Sequence, residues 1–462
     1  MSIGGCCMDF TGKNNRISCS TADILRIVIP LVLSSFSENL MFLVDRIFLA
    51  YYSVNSMNAA IFGGTLAGLC TFMLMAIAGT AEIFVGQYNG AMEDDKIASP
   101  VWQMIYFVLF SLILVIPIGY FAEYVNLIPE YCQEEGVAYQ KILTYFCWLP
   151  ALTAALTGFF VGRGRTKIIT LVVVAGTLVN VLLDYLLIFG CGDVIPSLGC
   201  NGAAIATIVA EATQTIILAV GFWCKKNRKR YDTLKNRKFD KKLFMRCVGI
   251  GIPMSLGRCA EMLAWYLIYA ALGHVSKELA TIHGVMITIY VLFAFICDGI
   301  AKGSAAISAN FIGQNDLAAV KTAVKKLTVI TLLMCFITMI PMLVMPNAIF
   351  KLLDALREDI SPLYPTMSII FKILFVGITM EAVCSIQWGV LLSGGDTKYT
   401  NIASVLCIWT FLVAPVGVLF ATGKLNSVTV VHLLSLASAA AYLTAIYARY
   451  RSLKWYKLLT KE

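Results

Sequence analysis

The sequence predicts an all-α polytopic membrane protein with 12 transmembrane helices in two pseudo-symmetric six-helix bundles. Three observations predict it. Apolar residues make up 59% of the 462-residue chain and charged residues only 14%, more apolar surface than a soluble domain of this length could bury. A basic run at 225–242 carries ten Lys or Arg against Asp232 and Asp240, and it divides two apolar stretches of nearly equal length. Those two stretches repeat one another. The expected organisation is an N-terminal tail (1–23), a first bundle (24–224), the basic linker (225–242), a second bundle (243–448) and a basic tail (449–462).

Taken in order, apolar runs long enough to span a bilayer lie at about 24–48, 58–87, 99–123, 138–162, 167–190 and 201–224, ahead of the linker. Six more follow at about 245–272, 279–310, 323–347, 367–393, 399–421 and 427–448. A run as basic as the linker belongs on the cytoplasmic side of the membrane, and an even number of spans places both termini on that side. Arg163, Arg165, Lys167, Lys321, Lys325 and Lys326 fall in turns on the linker's side. Glu123, Glu130, Glu134 and Glu135 fall in a loop on the other. The loop between spans nine and ten is mixed, with Lys351 and Arg357 among its acids. The same topology explains the net charge of +9 without a nucleic-acid partner, and the expected location is the plasma membrane.

The repeat is carried by residues that punctuate helices. Pro30 and Glu38 recur as Pro253 and Glu261, eight apart in both halves. Gly90 recurs as Gly313 and Pro117 as Pro341, and Gly164-Arg165-Thr166-Lys167 recurs as Gly395-Asp396-Thr397-Lys398. Six spans per repeat leave both halves facing the same way, related by an axis along the membrane normal. Parallel repeats of this kind place a solute path between two bundles.

Ionisable side chains inside spans cost about 2.5–3.5 kcal/mol each even on the gentler insertion scale, so they mark function by default. Glu38 and Asp45 share a stripe of span one, and Asn180 and Asp184 form an i,i+4 pair in span five. At 1.5 Å per residue, Asp45 and Asp184 both lie roughly 25–28 Å from the linker side, at similar depth. Two carboxylates meeting there raise each other's proton affinity or share a cation. Arg46 points about 100° away around the helix and is not counted as a partner. Glu261 and Glu381 lie near the middle of their spans and are candidates for a second ion or substrate site, together with Glu38. Arg258 and Glu261 are i,i+3, and Asp298 and Lys302 are i,i+4, spacings that also suit structural pairs. Glu82 and Glu211 have no spacing that assigns them. His283 and His432 read as ordinary helix residues and His274 as a loop residue. Pro30, Pro150, Pro253, Pro341 and Pro415 permit helix bending.

Fifteen cysteines without ligand spacing and three histidines argue against a structural metal, and no cofactor is expected. Asp94-Asp95 is half of an acidic motif with no matching half. Cys191 and Cys200 flank a short loop, and whether they pair stays open. No HExxH pair, paired acidic metal motif or nucleophile with a base is present, so an enzyme is not expected.

With these residues located, the chain resembles the multidrug and toxic compound extrusion (MATE) family, within the multidrug/oligosaccharidyl-lipid/polysaccharide exporter superfamily. The resemblance rests on PLVLSSFSENLMFLVD from Pro30 to Asp45, on GRGRTK followed by Asn180-Val-Leu-Leu-Asp184 and LLIFG, and on NGAAIAT. In the second half it rests on GIPMSLGRCAE, on Glu381 fifteen residues before Asp396, and on GGDTK. It implies export of small organic, cationic or amphipathic compounds in exchange for Na⁺ or H⁺, by a monomer in the lipid bilayer using alternating access. It implies that Asp45, Asn180 and Asp184 form the ion-coupling site and that Glu261 and Glu381 belong to a second-lobe site, with transient Na⁺ binding at Asp45, Asp184 and Glu261. Arg46, Leu49-Ala50, Arg258 and Lys302 depart from the family pattern. The three bases keep a flippase for a lipid-linked anionic precursor as the alternative.

Overall fold

The computed structural model describes residues 17–460 except 125–127, 129, 193 and 347–362. Lys351 and Arg357 lie outside the described residues. Twelve helices among the described residues are long and apolar enough to cross a membrane. The first six spans are α1 (Thr21–Tyr52), α2 (Asn55–Gly90), α3 (Asp94–Phe121), α4 (Glu130–Val161), α5 (Thr166–Phe189) and α6 (Gly199–Trp223). The second six are α7 (Lys241–Val275), α8 (Glu278–Gly313), α9 (Leu317–Ile340), α10 (Tyr364–Ser393), α11 (Thr397–Ala421) and α12 (Val428–Arg451). Each half forms one lobe, and the lobes meet chiefly where α1 and α2 pack against α7 and α8.

Local chemistry sets the ends of these spans, and it does so twice over. Ser53 closes α1 and caps α2 with its hydroxyl, and Ser276 does the same between α7 and α8. Their backbones match closely, at φ −164°, ψ 134° and φ −162°, ψ 139°. Gly164 and Gly395 turn the chain into α5 and α11 at φ +71° and +74°, a region that glycine enters without strain. Thr166 and Thr397 then donate to backbone oxygens of Arg26 and Ile250, tying each helix to the first span of its own lobe. Arg26 is four residues before Pro30, whose missing N–H leaves that carbonyl without its helical donor, and the Thr166 hydroxyl takes its place at 3.3 Å. In α11 a five-residue π-helical turn, Trp409–Val413, immediately precedes the segment bearing Pro415.

Three segments differ from the expected reading. Glu130, Glu134 and Glu135 stand in the first turns of α4 rather than in a loop, where acids oppose the positive end of the helix dipole. The basic linker is docked, not a free solvated strap. Trp102 Nε1 donates to Thr233 O (2.6 Å), Gln103 Nε2 donates to Lys238 O (3.1 Å), and Tyr106 hydrogen-bonds to Arg237 O. Arg230 pairs with Asp94 at 3.1 Å, so that half-motif serves the linker. Tyr231 is buried against the guanidinium of Arg163, 4.5 Å from its ring centroid. Burial there pulls Arg163 down to about 10. Finally, the basic tail folds back: Trp455 is fully buried and stacks on Tyr450, while Arg449 holds Asp396 through two hydrogen bonds of 2.6 and 3.2 Å. Cys191 and Cys200 are both free thiols.

The lobes close on one another at the linker face. Gln87 Nε2 donates across the boundary to Ser393 O (2.9 Å), and Asn310 Nδ2 donates the opposite way to Gly162 O (2.7 Å). A Cβ on Gly90 would run into the carbonyl of Asn310, and one on Gly313 would run into that of Gln87. The repeated glycines therefore allow the closest approach of the two halves. Gln87, Asn310, Ser393 and Asn89 are all buried, so no water-filled opening reaches this point.

Candidate functional site

Asp45, Asn180 and Asp184 come together inside the first lobe. Asn180 and Asp184 are fully buried and Asp45 is 6% exposed. With its amide turned so that nitrogen faces the acids, Asn180 Nδ2 lies 2.9 Å from Asp45 Oδ1 and 3.1 Å from Asp184 Oδ2. The two carboxyl groups are also within hydrogen-bonding reach of each other, and Thr207 on α6 reaches Asp45. The i,i+4 spacing in α5 puts Asn180 and Asp184 on the face that meets α1, where Ser37 and Thr177 hydrogen-bond at 3.0 Å. An apolar cluster that includes Leu49, Ile128, Tyr139 and Ile188 lies beside the trio, towards the face opposite the linker. Tyr139 is close enough to feel both acids electrostatically, and Arg46, which the sequence does not count as a partner, acts on Asp45.

Such an arrangement has a definite chemistry. Two adjacent carboxylates in a dry pocket repel unless a proton or a metal cation sits between them. The Asn180 amide supplies donors to both but no charge, so the pair is suited to taking up a proton or a cation.

A second cluster lines the cleft between the lobes. Lys302 of α8 reaches Glu38 of α1 at 3.8 Å, an ion pair across the lobe boundary, and Arg258 pairs with Glu261 at 3.1 Å. Asp298, Lys302 and Arg258 are exposed although each lies well inside its span, and charged groups at that depth are held at far lower cost against water than against lipid. The sequence pairs Lys302 with Asp298. Asp298 does feel both Lys302 and Arg258, but the direct ion pair of Lys302 is with Glu38 of the other lobe. Glu82 lies within electrostatic range of Lys302, and Glu211 within range of Glu38. Deeper in the second lobe, Tyr290 donates its hydroxyl to both oxygens of Glu381, at 2.8 and 2.7 Å.

Among the described residues, no group of three or more His, Cys, Asp or Glu is arranged to hold a metal ion. The sequence-predicted acids thus fall in two places: Asp45 and Asp184 with Asn180, and Glu38, Glu261 and Glu381 around the cleft and second lobe. Spacing misses Tyr139, Thr207 and Tyr290, because neutral hydroxyls in apolar runs stand out only once a carboxylate is beside them.

The MatE family profile matches residues 30–186 and 253–419, one copy in each lobe and most of the chain in sum. The chain belongs to the MatE family. This MATE protein is therefore a multi-pass membrane protein of a family of membrane transporters. It is 23% identical over 400 residues to the probable multidrug resistance protein NorM of Pasteurella multocida, covering 84% of this chain and 83% of that one. It is 24% identical over 307 residues to the probable multidrug resistance protein YoeA of Bacillus subtilis, where the match spans 64% of this chain and 66%, just under two thirds, of YoeA. Among solved structures, a MATE crystallised in complex with MaL6 superposes with a TM-score of 0.84 at 15% identity, covering 95% of this chain and 98% of that one. A superfamily transporter from Pyrococcus furiosus, described as having a binding pocket of reversed polarity, superposes with a TM-score of 0.81 at 16% identity, covering 95% and 97%. At those identities the structural likeness establishes the MATE fold alone.

Proposed function

We propose that this MATE protein is a secondary active exporter, driven by Na⁺ or H⁺ entering in exchange for a small organic cation or cationic amphipath. It works by alternating access in the plasma membrane, as a monomer with both termini in the cytoplasm. The observation that carries this reading is the buried Asp45–Asn180–Asp184 trio. These acids have a reason to be in the membrane if they load and unload positive charge, since an apolar trio would be cheaper. Glu261 and Glu381 contribute a second ion or substrate site. Homologues named as multidrug resistance proteins support the direction and breadth of transport.

The cleft favours a cationic cargo. Glu38, Glu82, Glu211, Glu261 and Asp298 outnumber Arg258 and Lys302 around it. Arg258 and Lys302 already pair with glutamates, and homologues named as multidrug resistance proteins do not favour the flippase reading that those bases and Arg46 had kept open. In the cycle, the linker-face contacts described above close one side of the cleft. An ion bound at the trio and a cargo bound in the cleft each stabilise a different packing of the lobes, and the difference in affinity drives the exchange.

The test is transport by purified protein in liposomes, with substrate-dependent fluorescence quenching under a Na⁺ gradient and a pH gradient imposed separately. One of the two gradients drives uphill efflux of an organic cation. Equal flux with and without either gradient overturns the coupled mechanism.

A further inference from the structure

We propose that the second lobe has its own proton path, running from Glu381 through an internal cavity to the imidazoles of His432 and His283 near the face opposite the linker. The inference rests on reading Glu381 as an ion site and goes beyond it by naming the ion and its route.

The cavity has a volume of about 70 Å³ and lies entirely within the second lobe, between α7, α8, α10 and α12. Trp265, Tyr290, Glu381, His432 and Ser435 supply its polar lining. A water molecule needs about 10–15 Å³ on this measure, so several fit. At one end Tyr290 holds both oxygens of Glu381, which keep further acceptor capacity. At the other end His432 is 5% exposed, and its ring lies 5.4 Å from that of fully buried His283. Neither nitrogen of His283 nor Nε2 of His432 has a hydrogen-bond partner among the described residues. An unpaired buried polar group costs about 1–3 kcal/mol, so three nitrogens in one place call for water or an exchanging proton.

Depth completes the argument. His283 is five residues into α8 and His432 four residues into α12, each within about 10 Å of the far face at 1.5 Å per residue. Tyr290 is about 18 Å in from the same face. The groups thus form a line from the middle of the membrane outwards, separate from the cleft between the lobes. A proton taken from water at the far face binds an imidazole nitrogen and passes through cavity water to a carboxylate oxygen of Glu381. Only N–H and O–H bonds form and break, and the net movement is one proton. The charges facing the two ends differ. Glu261, Asp298 and Arg258 act on Glu381, whereas the imidazoles face each other and the rings of Trp265 and Tyr269. Packing alone explains the stack of Trp265 on His283, but it does not explain why unpaired imidazole nitrogens gather at one end of a cavity whose other end holds Tyr290 and Glu381.

The test is time-resolved infrared difference spectroscopy on the full-length protein in lipid nanodiscs after an acid jump, with Glu381→Gln identifying the Glu381 carboxyl band. Protonation of Glu381 slows at least tenfold in the His283→Phe/His432→Phe double variant, with the final amplitude unchanged. An unchanged rate overturns the path. Because the double variant removes two buried side chains, the unsubstituted protein is examined as well, by ¹⁵N-histidine solid-state NMR. His283 and His432 show magnetisation transfer from water, and its absence overturns the path whatever the variant does. A missing Glu381 band in the parent protein instead overturns the assignment of Glu381 as an ion site, and so removes the path's end point.

Discussion

The side-chain amides of Gln87 and Asn310 cross the lobe boundary in opposite directions, one to Ser393 O and the other to Gly162 O. Each residue is the repeat counterpart of the other, so the contact is self-complementary in the way of a two-fold dimer interface. Gln87 also donates to Lys457 O at 3.2 Å, which draws the folded-back tail into the same junction. Replacing both amides, as Gln87→Leu/Asn310→Leu, removes these three hydrogen bonds and the one that Asn310 Oδ1 accepts from Asn89, neutral bonds worth about 0.5–1.5 kcal/mol each. The closed linker face then loses at least about thirtyfold in population relative to the open one. Distance distributions between spin labels on the two lobes measure the shift. Gly90→Val has a larger effect in the same direction, because its side chain meets backbone rather than a movable group.

How much of this was legible beforehand depends on the kind of signal. Span positions were legible because they follow from hydropathy, and the repeat was legible because Pro, Gly and GxTK turns are rare enough to align. The sequence marked Gly90 and Gly313 as equivalent without giving the reason, since their role depends on a carbonyl more than two hundred residues away. Asp45, Asn180 and Asp184 stood out by cost and spacing, but the amide bridge between the acids belongs to three-dimensional packing. Asp298–Lys302 stayed open for a related reason. Helical spacing brings two side chains near one another, yet it cannot say that Glu38 of the other lobe sits nearer. The linker and tail stand out in the sequence by charge alone, while Tyr231 and Trp455, which anchor them, are single residues in a basic background.

Asn180 bridges the two acids, so Asn180→Leu leaves both without their shared donor. Hydrogen bonds to charged groups are worth about 1.5–3 kcal/mol, so losing a donor that favours the ionised carboxylates raises their affinity for a proton or cation roughly ten- to a hundredfold and hinders release. Titration of intrinsic fluorescence with Na⁺ and with pH reads it directly. Asn180→Gln, which keeps the amide on a longer arm, reverses part of the shift.

The Glu38–Lys302 pair is open to solvent, with side chains 40% and 47% exposed, and its geometry is loose at 3.8 Å. A double-mutant cycle on thermal stability should therefore return a coupling below about 1 kcal/mol. Its effect on cargo is larger. Lys302→Ala removes a base from a cleft rich in acids and tightens binding of an organic cation several-fold, measured by equilibrium dialysis.

Arg449 and Asp396 present the opposite case, with side chains only 23% and 10% exposed and two hydrogen bonds between them. Arg449→Ala strands a carboxylate at the start of α11 and costs about 3 kcal/mol. The double variant Arg449→Ala/Asp396→Ala costs less than the sum of the two single variants. Light-scattering melts in detergent test both statements.

The central claim is that the buried acids of the first lobe carry the coupling ion. The most direct measurement is gradient-driven efflux of an organic cation from liposomes containing Asp45→Asn, Asp184→Asn or the parent protein, each checked for folding by its melting temperature. Both variants are expected to fold, to bind the cation in the cleft, and to lose uphill efflux under the gradient that drives the parent. Uphill efflux retained at the parent's rate in either variant would contradict the account.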